Sequence, residues 1–174
     1  MRRKNLTGFV LVVIWLGVGV GLSFAESGVA EIRGTAENSL VSGKVLFQDT
    51  SEGLKVTAQV QNVSPGKHGF HIHEFGDCSS PDAMSAGGHF NPKHMPHGAP
   101  GSSQHHAGDL GNITADAAGK VHYELVSHSL SFKGAGSILG RSMVVHADQD
   151  DLHSQPVGNA GARLACGVIG VAKQ

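Results

Sequence analysis

Gly69-Phe70-His71-Ile72-His73-Glu74 is the stretch on which the reading of this chain turns. Side chains on a β-strand alternate faces, so the pattern predicts a strand from which His71 and His73 project on one side, one pleat apart. Two imidazoles placed that way can reach a single metal ion, and they suit copper or zinc. Downstream, His89, His97, His106, Asp109 and His146 recur at spacings that look like ligand spacings. The chain holds 12 histidines in 174 residues, a total of the kind that metal binding produces.

Outward from that strand, short alternating segments separated by turn residues dominate. Strands are predicted at Ala30 to Arg33, Gly43 to Phe47, Leu54 to Val60, Phe70 to Phe75, Leu110 to Thr114, Lys120 to Val126, Ser142 to His146 and Leu164 to Val171. Ser51-Glu52-Gly53, Ser64-Pro65-Gly66 and Ala117-Ala118-Gly119 punctuate them, and 25 glycines suit the tight turns of an all-β chain. No helical period lasts more than two turns, and there is neither an internal repeat nor a linker. Two stretches refuse to be strands: Asp77 to Gly108, rich in Gly, Pro, Ser and His, and the polar Ala147 to Ala162. Structureless loops that long inside one domain are usually functional. All the candidate ligands lie in these loops or on the strands that border them.

The N-terminus reads as a secretory leader. Met1-Arg2-Arg3-Lys4 is followed by an uncharged run of 14 residues from Phe9 to Leu22, and Ser23-Phe24-Ala25 closes it before Glu26. A basic start, a short apolar run and small residues before the break describe a signal peptide rather than a membrane span. Residues 1–25 are thus the expected signal peptide and 26–174 one domain. Cleavage takes Lys+Arg from 13 to 10 against 14 acids, a net charge of −4. That balance argues against nucleic acid or an anionic membrane as partner. An exported chain meets an oxidising compartment, where two cysteines, here Cys78 and Cys166, more often pair than stay free.

Four blocks in order carry a family resemblance: Gly69 to Asp77, Gly88-His89-Phe90-Asn91-Pro92, His106-Ala107-Gly108-Asp109-Leu110-Gly111-Asn112, and Gly161 to Gly167. The chain resembles a copper/zinc superoxide dismutase of the bacterial, extracytoplasmic branch. The resemblance implies an eight-stranded Greek-key β-sandwich or barrel with two long functional loops. It implies copper held by His71, His73, His89 and His146, and zinc held by His89, His97, His106 and Asp109, with His89 shared. It makes His89 and Arg163 catalytic: His89 carries a proton after parting from reduced copper, and Arg163 draws the anion to the copper pocket. Asp150 matches the carboxylate that links a copper histidine to a zinc histidine. Cys78 and Cys166 match the family's disulfide, which ties the metal loop to the last strand.

The implied activity is conversion of superoxide to dioxygen and hydrogen peroxide. The alternative is a non-catalytic extracytoplasmic copper/zinc-binding or delivery protein. The implied location is periplasmic or extracellular, with no stable membrane association once the leader is gone, and a homodimer stays open as an assembly. Two departures from the compact cytosolic members stand out. Ser79 to Met84 lengthens the segment before His89, and the loop from Leu152 to Ala160 lacks their acid and lysine steering set. Lys93 is a candidate substitute for the missing lysines.

Overall fold

Eight antiparallel strands close on themselves in this computed structural model, which describes residues 26–37 and 39–173. The predicted leader at 1–25 lies outside the described residues. The strands are β1 (Ser27–Gly34), β2 (Ser42–Thr50), β3 (Gly53–Gln61), β4 (Gly66–His73), β5 (Asp109–Ala115), β6 (Val121–Ser127), β7 (Ser142–His146) and β8 (Arg163–Val171). Around the barrel they run β1-β2-β3-β6-β5-β4-β7-β8. The chain leaves β3, passes over two strands to β4, returns through β5 and β6, and then crosses again to β7. Those two crossings are what make a meander a Greek key. The all-β, eight-stranded expectation therefore holds.

Alternation decides most strands. β3 buries Leu54, Val56, Ala58 and Val60 and leaves Gln59 and Gln61 in water, and β1 buries Val29's neighbours Gly28, Ala30 and Ile32 in the same rhythm. One cluster fills the interior, among it Ile32, Phe47, Leu54, Phe70, Ile72, Leu110, Ile113, Met143, Val145 and Ile169. Each large side chain so buried contributes about 1.5–3 kcal/mol from apolar area alone. β4 and β7 break the rhythm. Every residue from His68 to His73, and all five of Ser142 to His146, is buried. Their inner faces line the core, and their outer faces are roofed by the loops 74–108 and 147–162.

β4 starts at Gly66 and stops at His73, earlier at both ends than the sequence suggests. Glu74 and Phe75 leave the ladder because their amides donate to the loop instead, at Gly88 O (2.8 Å) and Ala86 O (2.9 Å). A bridge pairs His73 with His89. The first long loop is also less irregular than its composition predicts, with a turn of 3-10 helix at Met84–Ala86. Cys78 and Cys166 are disulfide-bonded with Cα atoms 5.8 Å apart, as expected. Beside the bridge a small apolar cluster of Ala83, Ala86, Val144 and Cys166 seats the loop on the outside of β7 and β8.

Candidate metal centre

The odd positions of β4 and the even positions of β7 place His71, His73 and His146 on the outer wall, under the loops. Each ring has one nitrogen committed to an oxygen that can only accept. His71 Nε2 donates to Asp150 Oδ2 at 2.8 Å, His73 Nδ1 to the Gly87 carbonyl at 3.0 Å, and His146 Nδ1 to the Gly161 carbonyl at 3.2 Å. The tautomers follow: the other nitrogen of each ring carries a lone pair. Those lone pairs point at one another. His73 Nε2 and His146 Nε2 stand 3.2 Å apart, and His71 Nδ1 and His89 Nε2 are buried with no hydrogen-bond partner. Four donors facing inward in a dry site repel unless a cation sits between them.

The adjoining cluster has the same character. His89 Nδ1, His97 Nδ1 and His106 Nδ1 lie 2.8, 3.1 and 3.2 Å from one oxygen, Asp109 Oδ1. The other oxygen of Asp109 accepts from the backbone amides of His106 (2.8 Å) and Gly98 (3.2 Å), which fixes the carboxylate in place. His97 Nε2 donates to Asp150 Oδ1 at 2.9 Å, so when the ring is neutral its Nδ1 is the nitrogen that carries the lone pair. Three imidazoles and one carboxylate make a closed four-ligand set of the kind that holds structural zinc. In each of the two groups the ligand atoms lie within 4.8 Å of one another, and His89 belongs to both.

Charge follows from burial and carboxylates. Burial pushes the His89 pKa down to about 4 and that of His146 to about 3, and it depresses His71 and His73 too. Neutral imidazole is the form that binds metal. Burial also works against a charged His97, but Asp109 and Asp150 outweigh it and lift its pKa to about 9. Burial disfavours both aspartates as anions, yet the hydrogen bonds from the surrounding histidines hold each well below the usual carboxylate range.

Asp150 is fully buried and straddles the two clusters, one oxygen on His71 and one on His97. Its position is set by residues whose part in this the sequence did not reveal. The Asn112 side chain clamps the Asp150 backbone from both sides, accepting from its amide at 2.8 Å and donating to its carbonyl at 2.9 Å. Gln155 clamps the His97 backbone in the same way. No local signal marks either residue, because each acts across tens of positions in sequence.

Arg163 opens β8 half-buried, and two backbone carbonyls hold its guanidinium: Ala83 O and Gly87 O, each at 2.6 Å. The Gly87 carbonyl thus accepts from both Arg163 and His73. Gly87 has φ +76°, and a Cβ there would lie 2.6 Å from the Phe75 ring, so the position requires glycine. The charge of Arg163 is felt at His73 and His146, which it helps to keep neutral.

All six histidines and the aspartate expected as ligands are therefore brought together, with Asp150 between them and Arg163 beside them. The remaining histidines are elsewhere. His94, His122, His128 and His153 are exposed and His105 is half-buried. His68 is buried but braces the fold, its ring bridging the carbonyls of Ser64 (2.8 Å) and His146 (2.9 Å). Lys93 lines a cleft of about 330 Å³ with His105, His128 and Leu125, and Arg163 is not part of that lining.

Comparison with known proteins agrees with this geometry. Residues 41–169 match the family model described as copper/zinc superoxide dismutase. The chain is 44% identical over 158 residues to a superoxide dismutase [Cu-Zn] of Onchocerca volvulus, covering 84% of this chain and 97% of that protein. It is 40% identical over 145 residues to an extracellular superoxide dismutase [Cu-Zn] of Brugia pahangi, covering 78% and 72%. The crystal structure of the clock protein EA4 superposes with a TM-score of 0.78 at 34% identity, covering 87% of this chain and 98% of that one. Both sequence relatives are nematode proteins, so they lend nothing to a bacterial placement.

Proposed function

The chain belongs to the copper/zinc superoxide dismutase family, and on that premise we propose which of its residues hold each metal and serve the reaction. The activity is disproportionation: two superoxide anions and two protons give dioxygen and hydrogen peroxide. When bound, copper supplies the one-electron redox chemistry and zinc a fixed positive charge. His71, His73, His89 and His146 would hold copper, and His89, His97, His106 and Asp109 would hold zinc. One observation carries the assignment: the buried, inward-facing lone pairs at His71 Nδ1 and His89 Nε2, beside the opposed pair on His73 and His146.

The protein's own groups do the rest. His89 is the one ring common to both clusters, and its Nε2 is the atom at which a proton can be held while Nδ1 stays fixed beside Asp109. Arg163 offers an always-charged guanidinium, pinned to the backbone, that attracts and orients a small anion. Asp150 fixes the tautomers of His71 and His97 together.

Export is part of the same proposal. The basic, apolar and small-residue pattern of 1–25, the disulfide, and the extracellular relative support a secreted protein. The bacterial and periplasmic half of the sequence reading finds no support among these relatives. Among the described residues, no helix is long and apolar enough to cross a membrane. A homodimer is supported by exposed Phe75, Leu139 and Val168, the first two adjoining Gly76 and Gly140 in sequence where Gly76 packs against Gly140 and Val168.

Metal analysis and superoxide consumption test the assignment on one sample. About one copper and one zinc per chain with activity is expected, and His146→Ala should lose copper and activity while keeping its zinc and its fold. A fully loaded protein inert toward superoxide would instead be a carrier. Sedimentation of that sample as a monomer would remove the dimer.

A further inference from the structure

The anchor of Arg163 is itself built by a charged residue. Ala83, whose carbonyl receives the Arg163 Nη1–H at 2.6 Å, is fully buried and sits in the left-handed region at φ 56°, a conformation that costs a non-glycine residue. What holds it there is local. The Ala83 amide donates to Ser80 O at 2.9 Å, and the preceding side chain, Asp82, accepts from the Met84 amide at 3.0 Å through Oδ1. That closes an Asx turn around Ala83. A carboxylate is not needed for this job, because an asparagine oxygen accepts the same hydrogen bond.

The charge therefore has a separate consequence. Asp82 is exposed at the rim of the same turn, and among the described residues no salt bridge ties it to a cation. Burial lowers the Arg163 pKa, and the nearby Asp82 carboxylate pushes it back up. A mature chain of net charge −4 depends on local positive potential to draw an anion in, and here a negative charge sits one residue from the cation's anchor.

We propose that Asp82 is a positioning residue with two separable actions: its Oδ1 shapes the turn that aims Arg163, and its negative charge damps the attraction of Arg163 for superoxide. This rests on the reading of Arg163 as the residue that draws the anion in. Two unit charges about 10 Å apart in water alter a local anion concentration roughly twofold, and salt erases the effect once the screening length falls to about 3 Å at 1 M.

The test uses the copper- and zinc-loaded full chain. Asp82→Asn keeps the turn and deletes the charge, so superoxide disproportionation at about 10 mM ionic strength should rise roughly twofold, with the gain closing near 1 M salt. Azide, followed by its charge-transfer absorption with the metal, should bind about twofold tighter under the same low-salt conditions. Asp82→Ala also breaks the turn, and should be slower than Asp82→Asn at every salt concentration. An Asp82→Asn protein no faster than the parent at low salt, while Arg163→Gln is markedly slower, overturns the inference and leaves Arg163 in place. If Arg163→Gln is as fast as the parent, the reading of Arg163 falls and the inference with it.

Discussion

A single carboxylate couples the two metal groups at the scale of residues. Asp150 accepts from His71 with one oxygen and His97 with the other, and its own backbone is clamped by Asn112. Partners of this kind hold a ring at the angle and in the tautomer that binding demands, and their loss typically weakens metal affinity 10–100-fold. Asp150→Ala is therefore expected to weaken both sites in one step, with zinc affinity falling by about that factor in a chelator competition. A variant that weakened the copper group and left zinc untouched would show that the bridge is idle. The residues that converge in the two groups were readable in sequence because strand alternation and short spacings are local. Asn112, Gln155 and the Gly87 carbonyl were not, because each acts on a residue brought near only by folding.

Among the elements, the loop between β4 and β5 is held by three kinds of attachment: the disulfide, the cluster around Ala83 and Val144, and the ladder that Glu74 and Phe75 make with Ala86 and Gly88. The sequence separation of 88 between Cys78 and Cys166 closes a large loop. Chain entropy then predicts about 4–5 kcal/mol of stabilisation as an upper figure. Cys78→Ser in the metal-free protein should lower the melting temperature by roughly 10 °C. An unchanged melting point would mean that packing, not the crosslink, seats the loop. All eight strands were legible, because alternation against turn residues is a local signal. The ends of β4 were not, since Glu74 and Phe75 alternate like strand residues but find partners in the loop. The 3-10 turn at Met84–Ala86 left no trace in composition for the same reason.

Over the whole molecule the buried histidines make the metal-free protein sensitive to pH from both sides. His89 and His146 have pKa values lowered by burial to about 4 and about 3, so the unfolded chain binds their protons first. Stability should fall as the pH drops from about 6.5 through 4. His97 has the opposite sign: burial opposes its charge, but Asp109 and Asp150 raise it to about 9. The stability it contributes is full below about 6.5 and lost as the pH rises through 9. Melting curves of the metal-free protein against pH should therefore form a dome. Zinc should remove its alkaline shoulder, because a ligated His97 no longer takes up that proton. A shoulder that survives zinc would take His97 out of the zinc set.

β4 has a further consequence through its two covered faces. Phe70 and Ile72 belong to the hydrocarbon interior while His71 and His73 belong to the candidate metal centre, so a wall one peptide thick divides oil from the proposed redox site. Interiors pack like crystals and pass strain on rather than absorbing it. Trimming Ile72 to valine would thus be an adjustment to the instrument as well as to its casing, and anyone seeking a sturdier barrel will be tuning its electrochemistry at the same time.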